Sequence, residues 1–299
     1  MHVLNIGSVN IDHVTRVDHV VRPGETLAST RYDSFAGGKG LNQSIALARA
    51  GAPTRHAGAV GRDAAWLIDR LKRDGVDVAL LKVTDLPTGH AIIQVTPTGE
   101  NAIVVHGGAN LAVTAEEVAR AVTSCSRGDV LLVQNETSAV AEAIRMGRRR
   151  GLKVVFNPAP MSPAVRDCPL QDVDIFILNE TEAEGLTGQR SPEGVRAAMV
   201  ASYPHAATVL TLGRRGAAYI DSSGLLCHPG FAVRAVDTTA AGDTFIGYFL
   251  AELLRTGLPA KALALGCHAA AIAVTRPGAS DSIPWLQEVL DDTEAVPNE

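Results

Sequence analysis

The sequence contains few of the residues that stabilise secreted domains or build zinc sites. Its 299 residues include four widely separated cysteines with no Cys-x-x-Cys pair: Cys125, Cys168, Cys227 and Cys267. We therefore expect neither a disulfide framework nor a zinc site, and a reducing, cytoplasmic environment. Aromatic residues make up only 4% of the chain, which argues against an aromatic-rich recognition surface.

Strong positive charge and long apolar runs are also missing. The formal net charge is −5 and no basic stripe is present, so nucleic acid is not an expected partner. The first residues lack the cationic and apolar regions of a signal peptide. No segment approaches the roughly 20 apolar residues of a membrane helix. We therefore expect no membrane partner.

Short strand-like apolar runs alternate with helix-like patterns over most of the chain, and 46% of the residues are hydrophobic. The predicted strands are residues 3–9, 56–60, 130–134, 154–156, 175–178 and 209–212. The predicted helices are residues 41–50, 64–74, 139–149, 180–186, 242–255 and 260–275. This alternation predicts an α/β fold with a mostly parallel sheet covered by helices on both faces.

Two stretches interrupt the alternation and predict a small β lid. Residues 12–35 are rich in Val, Thr and Arg, and residues 89–106 have the pattern of a hairpin with a turn at 97–100. Glycine pairs at 37–38 and 107–108 flank these stretches and suggest hinges. A static surface hairpin is the alternative. The sequence therefore predicts an α/β core over residues 1–11, 36–88 and 107–290, a lid over residues 12–35 and 89–106, and a polar tail over residues 291–299.

The most informative run, residues 236–245, reads Val-Asp-Thr-Thr-Ala-Ala-Gly-Asp-Thr-Phe and precedes an apolar helical stretch. A turn of small residues that opens a helix leaves backbone N–H groups free to bind a phosphate or a developing anion. A carboxylate beside such a site is repelled by phosphate, so Asp243 is better suited to accept a proton from a hydroxyl. The alternative is an ordinary helix N-terminus with an acidic first turn.

Polar residues follow many of the predicted strands, where open parallel sheets bind their ligands. They are Asn10, Asp12, Asn135, Glu136, Asn157, Asn179, Glu180, Glu182 and Gly213. Any one of them could be a helix cap or a turn residue. Their repeated occurrence at strand ends favours a ligand site along one edge of the sheet.

The run 37–42 reads Gly-Gly-Lys-Gly-Leu-Asn and has neither the P-loop spacing nor the dinucleotide fingerprint. Its glycines allow a close approach of the backbone to a ligand, and Lys39 and Asn42 could both bond a polyol. A glycine-rich hinge followed by a helix cap is the alternative. A nicotinamide oxidoreductase is not favoured, because no dinucleotide fingerprint follows an early strand.

These motifs resemble the ribokinase family of carbohydrate kinases over nearly the whole chain. Residues 7–12 and 37–43 look like the first family signature, and residues 237–245 look like the second, which is highly specific. The remaining matches occur in family order at residues 157–160, 179–182, 211–213 and 273–279. The resemblance implies a ribokinase-like three-layer α/β/α sandwich with a small β-sheet lid.

The resemblance also implies ATP-dependent phosphorylation of the O5 hydroxyl of D-ribose. Asp243 is then the base, and the backbone N–H groups of Ala240, Ala241 and Gly242 form the anion hole. The residues implied to hold the sugar hydroxyls are Asn10, Asp12, Gly38, Lys39, Asn42 and Glu136. A homodimer through the lid strands is implied as well.

Three ligands besides the sugar follow from the same resemblance. Asn179 and Glu182 would help to place Mg²⁺ and the phosphates, while Thr211, Gly213 and Gly242 would lie along ATP. A monovalent cation, K⁺, would be ringed mostly by backbone carbonyls of Asp237, Thr239, Ala273, Arg276, Gly278 and Ser282. That cation would order the anion-hole loop.

The chain departs from the family pattern at Trp66, at Pro277 and at Asn135, the neighbour of the implied sugar ligand Glu136. These departures leave fructose, deoxyribose or a nucleoside as alternative acceptors. A nucleoside would favour aromatic stacking near the lid, where Tyr32 and Phe35 are the nearby candidates. A non-catalytic sugar or nucleotide sensor is a further alternative, although the intact Asp243 argues against it.

Overall fold

The computed structural model describes residues 1–292, and within them it contains thirteen strands and nine α-helices. The strands are β1 Val3–Ile6, β2 Asn10–Arg16, β3 Arg31–Gly37, β4 Thr54–Gly61, β5 Asp77–Thr84, β6 Gly89–Val95, β7 Asn101–His106, β8 Val130–Gln134, β9 Lys153–Asn157, β10 Ile175–Asn179, β11 Ala207–Thr211, β12 Ala217–Ile220 and β13 Leu225–His228. The helices are α1 Lys39–Arg49, α2 Ala65–Arg73, α3 Ala115–Thr123, α4 Val140–Arg150, α5 Glu180–Thr187, α6 Pro192–Ser202, α7 Ala241–Thr256, α8 Pro259–Val274 and α9 Leu286–Asp291.

Nine strands form the central sheet in the order β13-β12-β11-β10-β9-β8-β1-β4-β5. From β5 to β11 the paired neighbours are parallel, and the two pairings at one edge, of β12 with β11 and with β13, are antiparallel. Helices α1, α2, α7, α8 and α9 cover one face, and α3 to α6 cover the other. The predicted three-layer α/β/α fold is confirmed.

The central strands are mostly apolar because both of their faces are buried. In β8, Val130 and Leu132 pack beneath α7 and α8, whereas Leu131 and Val133 pack beneath α3 and α4. All four side chains are fully buried. This arrangement places the carboxyl ends of the parallel strands at one edge of a rigid sheet.

A second sheet of four strands has the order β3-β2-β6-β7. Strand β2 pairs antiparallel with β3 and parallel with β6, and β6 and β7 form the predicted hairpin. Strand β2 begins at Asn10, two residues before the predicted start of the lid at residue 12.

Several element boundaries differ from the sequence predictions. Strand β8 has the predicted bounds, but the predicted strand 3–9 ends at Ile6. Gly7 just beyond it still donates to the Ala57 carbonyl of β4 at 3.1 Å. It also lies against the backbone of α1, where a Cβ atom would be 2.6 Å from the Gly40 Cα atom. The bulky Trp66 lies on the surface of α2 and is 40% exposed, while Leu67 beside it is buried.

The sequence predictions missed β5, β12, β13, α3, α6 and α9. Helix α3 did carry a signal, since Thr114 and Glu117 form a capping box at its start. Helix α9 continues to Asp291, the first residue of the predicted tail, and the rest of that tail from 293 lies outside the described residues. In the part of the chain that the structure describes, no helix combines the length and apolar character needed to cross a bilayer.

Candidate active site

The polar residues predicted at strand ends lie along one edge of the central sheet. Strands β1, β8, β9, β10 and β11 are parallel neighbours, so their carboxyl ends point the same way. The side chains that follow or end them include Ser8, Glu136, Asn157, Glu182 and Thr211. This edge also meets the N-termini of α1 and α7, which brings the two strongest motifs of the sequence together.

Close packing of α7 on α1 sets the position of Asp243. Gly247 of α7 faces Ala46 of α1 so closely that an added Cβ atom would lie 2.3 Å from the Ala46 Cβ atom. One helical turn earlier, Asn42 and Gln43 of α1 reach Asp243 in the first turn of α7. The Asn42 amide donates to Oδ2 at 3.1 Å, and the Gln43 amide donates to Oδ1 at 2.8 Å.

The carboxyl group of Asp243 is only 8% exposed, and its environment acts on its pKa in two directions. Burial raises the pKa above its usual value, whereas Lys39 and the amides of Gln43 and Asn42 act to lower it, and the net direction is upward. In return, Asp243 raises the pKa of the Lys39 ammonium most strongly, with smaller contributions from Glu136 and Glu182. A carboxylate whose proton affinity is tuned by burial and a nearby ammonium is suited to accept a proton.

The backbone before α7 has an uncommon conformation. Ala240 has φ 59° and ψ 8°, and it is the one non-glycine residue with positive φ in residues 1–292. Such a conformation costs an alanine about 1–2 kcal/mol. Strained backbone of this kind is often found at functional sites.

The three predicted anion-hole amides are not equivalent. The Ala241 N–H donates to the Thr238 carbonyl at 3.3 Å, so in this conformation it is engaged in a turn. Within the described residues, the N–H groups of Ala240 and Gly242 have no hydrogen-bond partner. Gly242 is exposed, and an added Cβ atom there would meet nothing within 4 Å. These two amides are therefore open to an incoming anion.

Glu136, Ser8 and Lys39 link the end of β8 to the start of α1. The Ser8 hydroxyl and the Lys39 backbone N–H both donate to Oε2 of Glu136, the latter at 3.1 Å. Gly38 precedes α1 with φ 93°, and a Cβ atom on it would lie 3.0 Å from the Asn10 nitrogen. Only glycine fits this conformation without strain.

Strand β2 of the four-stranded sheet carries the other two predicted sugar ligands. Asn10 is buried, and its side-chain oxygen accepts from the Asn110 amide at 2.7 Å. Burial, together with repulsion from Glu136, raises the pKa of Asp12 from 3.8 to about 7. Asn110 was missed by sequence reasoning. Its position just after the glycine pair 107–108, at the predicted hinge, was the available signal.

Asn135 contacts a neighbouring loop. Its amide donates to the Pro160 carbonyl at 2.7 Å and to the Ser162 hydroxyl at 3.0 Å. These bonds join the end of β8 to the segment that follows β9.

Asn179 and Glu182 form the capping box of α5. The Asn179 oxygen accepts from the Glu182 N–H at 2.9 Å, and the Asn179 backbone N–H donates to Glu182 Oε2 at 2.9 Å. Glu182 is 7% exposed, and burial raises its pKa. Thr211 ends the next strand, and Gly213 follows it with φ 57°. These residues lie on the same sheet edge as Asn157, whose amide is 3.5 Å from Glu182.

Asp237 links the loop before α7 to the loop after α8. Its Oδ1 accepts from the Thr239 N–H at 2.9 Å and from the Thr239 hydroxyl at 2.6 Å, and its Oδ2 accepts from the Gly278 N–H at 3.0 Å. Burial alone would raise its pKa, but the bonds from Thr239 and Gly278 give a net lowering. The Val236 and Asp237 N–H groups also donate to the Val274 carbonyl.

The other members of the predicted cation ring lie in or beside the second loop. The Ala273 carbonyl accepts from the Arg276 N–H at 3.1 Å, and the Arg276 side chain pairs with Glu288 at 3.0 Å. Ser282 is fully buried and donates to the Ala279 carbonyl at 2.8 Å. Asp237, through its bond to Gly278, brings the two halves of the predicted ring together.

The chain is similar in sequence and in overall fold to proteins named ribokinase. A ribokinase from Haemophilus influenzae is 39% identical over 298 residues, which cover 97% of each chain. The crystal structure of a ribokinase from Cryptococcus neoformans var. grubii in complex with ADP has a TM-score of 0.85 and 34% identity, covering 97% of this chain and 99% of that one. An Arabidopsis thaliana ribokinase structure with ribose and ATP has a TM-score of 0.84 and 27% identity, covering 97% of each chain.

The family match extends over almost the whole described chain. The profile of the pfkB family carbohydrate kinases matches residues 2–286. This range includes the glycine-rich segments at 37–42 and 107–108, the sheet edge and the Asp243 turn. The chain belongs to the pfkB family of carbohydrate kinases.

Proposed function

We propose that the protein transfers the terminal phosphoryl group of ATP to the O5 hydroxyl of D-ribose, giving ribose 5-phosphate. The observation that carries this proposal is the position of Asp243, buried beside the open amides of Ala240 and Gly242. The relatives named ribokinase, including the one bound to ribose and ATP, support ribose as the acceptor.

In this mechanism the sugar is held by side chains of the sheet edge and of β2. Asn10, Asp12, Lys39, Asn42 and Glu136 supply both donors and acceptors, as a polyol requires, and Gly38 supplies close backbone. Hydrogen-bonding partners of this kind reject ligands that leave them unpaired, at a cost of roughly 1–3 kcal/mol each. The O5 hydroxyl would then lie against the Asp243 carboxylate.

The transfer step moves one proton and one phosphoryl group. The O5–H proton passes to Asp243, the oxygen forms a bond to the γ-phosphorus, and the bond from that phosphorus to the β,γ-bridging oxygen breaks as ADP leaves. The amides of Ala240 and Gly242 and the positive end of the α7 dipole stabilise the negative charge of the transferring group. Positioning and charge stabilisation are the main requirements of phosphoryl transfer.

The residues near the phosphates fit Mg²⁺ that arrives with ATP. Within residues 1–292, no group of three or more His, Cys, Asp or Glu side chains could hold a metal ion alone. Mg²⁺ in kinases is commonly held by one or two carboxylates plus phosphates and water, and it offsets phosphate charge. The buried carboxylate of Glu182 and the amide oxygen of Asn179 supply suitable oxygen donors, while Thr211 and Gly213 would line the nucleotide.

The loops joined by Asp237 fit a monovalent cation such as K⁺. Asp237 is partly buried, and in the described structure it accepts only neutral donors and forms no salt bridge. We propose that a cation bound there, with carbonyls of Thr239, Ala273, Arg276, Gly278 and Ser282, stabilises the strained turn at Ala240.

We further propose that the four-stranded sheet of β2, β3, β6 and β7, which lies within residues 10–37 and 89–106, acts as a lid and forms the interface of a homodimer. Strand β7 is at the edge of that sheet, and its Ile103, Val104 and Val105 side chains are 52%, 69% and 62% exposed. An exposed apolar edge strand is a common interface between chains. Sedimentation should show a dimer that dissociates when Val104 is changed to Lys, whereas a monomeric wild-type protein would contradict the proposal.

The test of the acceptor is a coupled assay of ADP formation with a panel of hydroxyl acceptors. D-ribose, fructose, deoxyribose and a nucleoside would each be tested with ATP and Mg²⁺, with and without K⁺. The proposal expects the highest kcat/KM with D-ribose and a lower rate without K⁺. A higher value with another acceptor would reassign the substrate, and ADP formation independent of every acceptor would contradict a kinase.

A further inference from the structure

A chain of buried side-chain amides runs from Asp243 into the protein interior. Gln43 donates to Asp243 at 2.8 Å, and Gln134 donates to the Gln43 oxygen at 2.7 Å. Gln134 also donates to the Asn5 oxygen at 2.9 Å, and Asn5 in turn donates to the Gly40 carbonyl at 2.8 Å. Asn5, Gln43 and Gln134 are fully buried, so each of these bonds is protected from water.

The direction of every bond in this chain is fixed at its ends. An ionised carboxylate and a backbone carbonyl can only accept, so Gln43 must turn its NH₂ group toward Asp243 and Asn5 must turn its NH₂ group toward Gly40. The two remaining oxygens, of Gln43 and Asn5, therefore both face the NH₂ group of Gln134. The Gln134 oxygen is buried and has no hydrogen-bond partner in the described structure, which costs free energy. Turning the Gln134 amide over would cost more, because its oxygen would then face the oxygens of Gln43 and Asn5.

A second branch fixes Gln43 from the other side. The Gln43 NH₂ group also donates to the Asn157 oxygen at 3.1 Å, and the Asn157 amide donates to the Ile177 carbonyl at 2.9 Å. Both protons of the Gln43 amide and its oxygen are thus engaged. The side chain cannot rotate to offer its oxygen to Asp243 without breaking three hydrogen bonds.

We propose that Gln43 is a positioning residue that keeps Asp243 ionised and fixes the direction of its carboxylate for proton transfer. The inference rests on the proposed function, in which Asp243 is the base. Because the amide chain allows only a donor at Oδ1, a proton on that oxygen would face the Gln43 N–H. Asn42 likewise donates to Oδ2, over a longer 3.1 Å, so the proton from the sugar must be taken up on the side of the carboxylate that faces away from these two amides.

Gln43 acts alongside the charged groups that face Asp243. Lys39 at the start of α1 favours the ionised form, whereas Glu136 after β8 and Glu182 in α5 oppose it. Burial opposes it most strongly. The neutral donor at Oδ1 adds to the effect of Lys39 without adding charge near the phosphates.

The test uses Gln43→Met, which keeps an unbranched side chain of similar length but removes the donor. A hydrogen bond to a charged group is worth enough to shift a pKa by about 1–2 units. We expect the titration of Asp243, followed by ¹³C carboxyl NMR and assigned with Asp243→Asn, to move upward by that amount. The acid limb of the pH profile of kcat should move upward with it, so that the variant needs a higher pH than the wild-type protein to reach full activity.

Gln134→Met is the matched control, because it removes the next amide of the chain but leaves the bond to Asp243. It should lower thermal stability like Gln43→Met while moving the Asp243 titration less. Gln43→Glu is the second variant in case Gln43→Met does not fold. It keeps the shape, places a second carboxyl group beside Asp243 and should move the titration further upward.

Each outcome bears on one claim. An unchanged Asp243 titration in Gln43→Met, or an equal shift in Gln134→Met, would overturn the role of Gln43. If the Asp243 titration shifts in Gln43→Met but the pH profile of kcat does not, Asp243 is not the base. That result would overturn both the part of Gln43 in proton transfer and the proposed mechanism. NMR reports the titration even if the wild-type protein phosphorylates no sugar, so failure of the function is distinguishable from failure of the inference.

Discussion

Changing Asp12 to Asn should stabilise the sugar-free protein at alkaline pH. In the folded protein, burial and repulsion from Glu136 raise the pKa of Asp12 from 3.8 to about 7. A raised folded-state pKa means that the stability associated with the protonated carboxyl is complete below about pH 4 and is lost as the pH rises through about 7. An Asn side chain does not ionise and avoids this loss.

The size of the effect follows from the pKa change. Each pKa unit corresponds to about 1.4 kcal/mol, so a change from 3.8 to about 7 corresponds to a destabilisation of at most about 4 kcal/mol in the wild-type protein at alkaline pH. For a chain somewhat shorter than this one, each kcal/mol shifts the Tm by about 2–4 °C, and the shift is smaller for longer chains. Asp12→Asn should therefore melt on the order of 5–10 °C higher than the wild-type protein at alkaline pH.

The assay is calorimetric melting of both proteins from about pH 5 to about pH 9. The difference in Tm should grow with pH up to about 7 and level off above it, where Asp12 is ionised in both the folded and the unfolded protein. A Glu136→Gln background is the control, because it removes the repulsion and should reduce the pH dependence of the difference. Asp12→Asn should also raise KM for the sugar about tenfold or more, because it removes a charged hydrogen-bond acceptor. A difference in Tm that is constant with pH would refute the reasoning.

Three further substitutions test the packing and the ligand sites. Gly247→Ala forces a Cβ atom into Ala46 of α1, so it should cost about 1–3 kcal/mol in thermal melts and lower kcat. Gly194→Ala is its control, because the added Cβ atom would meet the Gln189 side chain and the Ser191 hydroxyl rather than a packed helix, and it should do both to a smaller extent. Glu182→Gln removes the charge and one of the two acceptor oxygens that Asn179 contacts, so the Tm should fall slightly while the Mg²⁺ concentration for half-maximal rate rises. An unchanged requirement for Mg²⁺ would exclude Glu182 from the site. Asp237→Asn should abolish activation by K⁺ in rate measurements while changing stability by about 1 kcal/mol, and retained activation would place the cation elsewhere.

The parts of the fold that the sequence predicted are those with local signals. Strand β8 is a run of four apolar residues that ends in Gln134 and has polar residues on both sides, and its bounds were predicted correctly. The turn at 240–243 was recognisable because small residues and an acid precede a long apolar helix. In both cases the signal lies within about ten residues of chain, which is the range over which periodicity and turn chemistry operate.

The parts that could not be predicted depend on contacts between distant segments. Gln43 and Asp243 are 200 positions apart, and Gln134 and Asn5 are 129 positions apart. A buried amide that orients a carboxylate has no local pattern, since the same Gln on a helix is usually exposed. Likewise, the engagement of the Ala241 N–H by Thr238 depends on the left-handed conformation of Ala240, which alanine seldom adopts.

The most direct test of the account is a single-turnover measurement of phosphoryl transfer from ATP to D-ribose in Asp243→Asn, paired with calorimetric binding of the sugar. If Asp243 is the base, transfer should slow by about 10²–10⁴-fold while ribose still binds within a few-fold of the wild-type affinity. Transfer at the wild-type rate in this variant would contradict the assignment, whatever the sugar affinity.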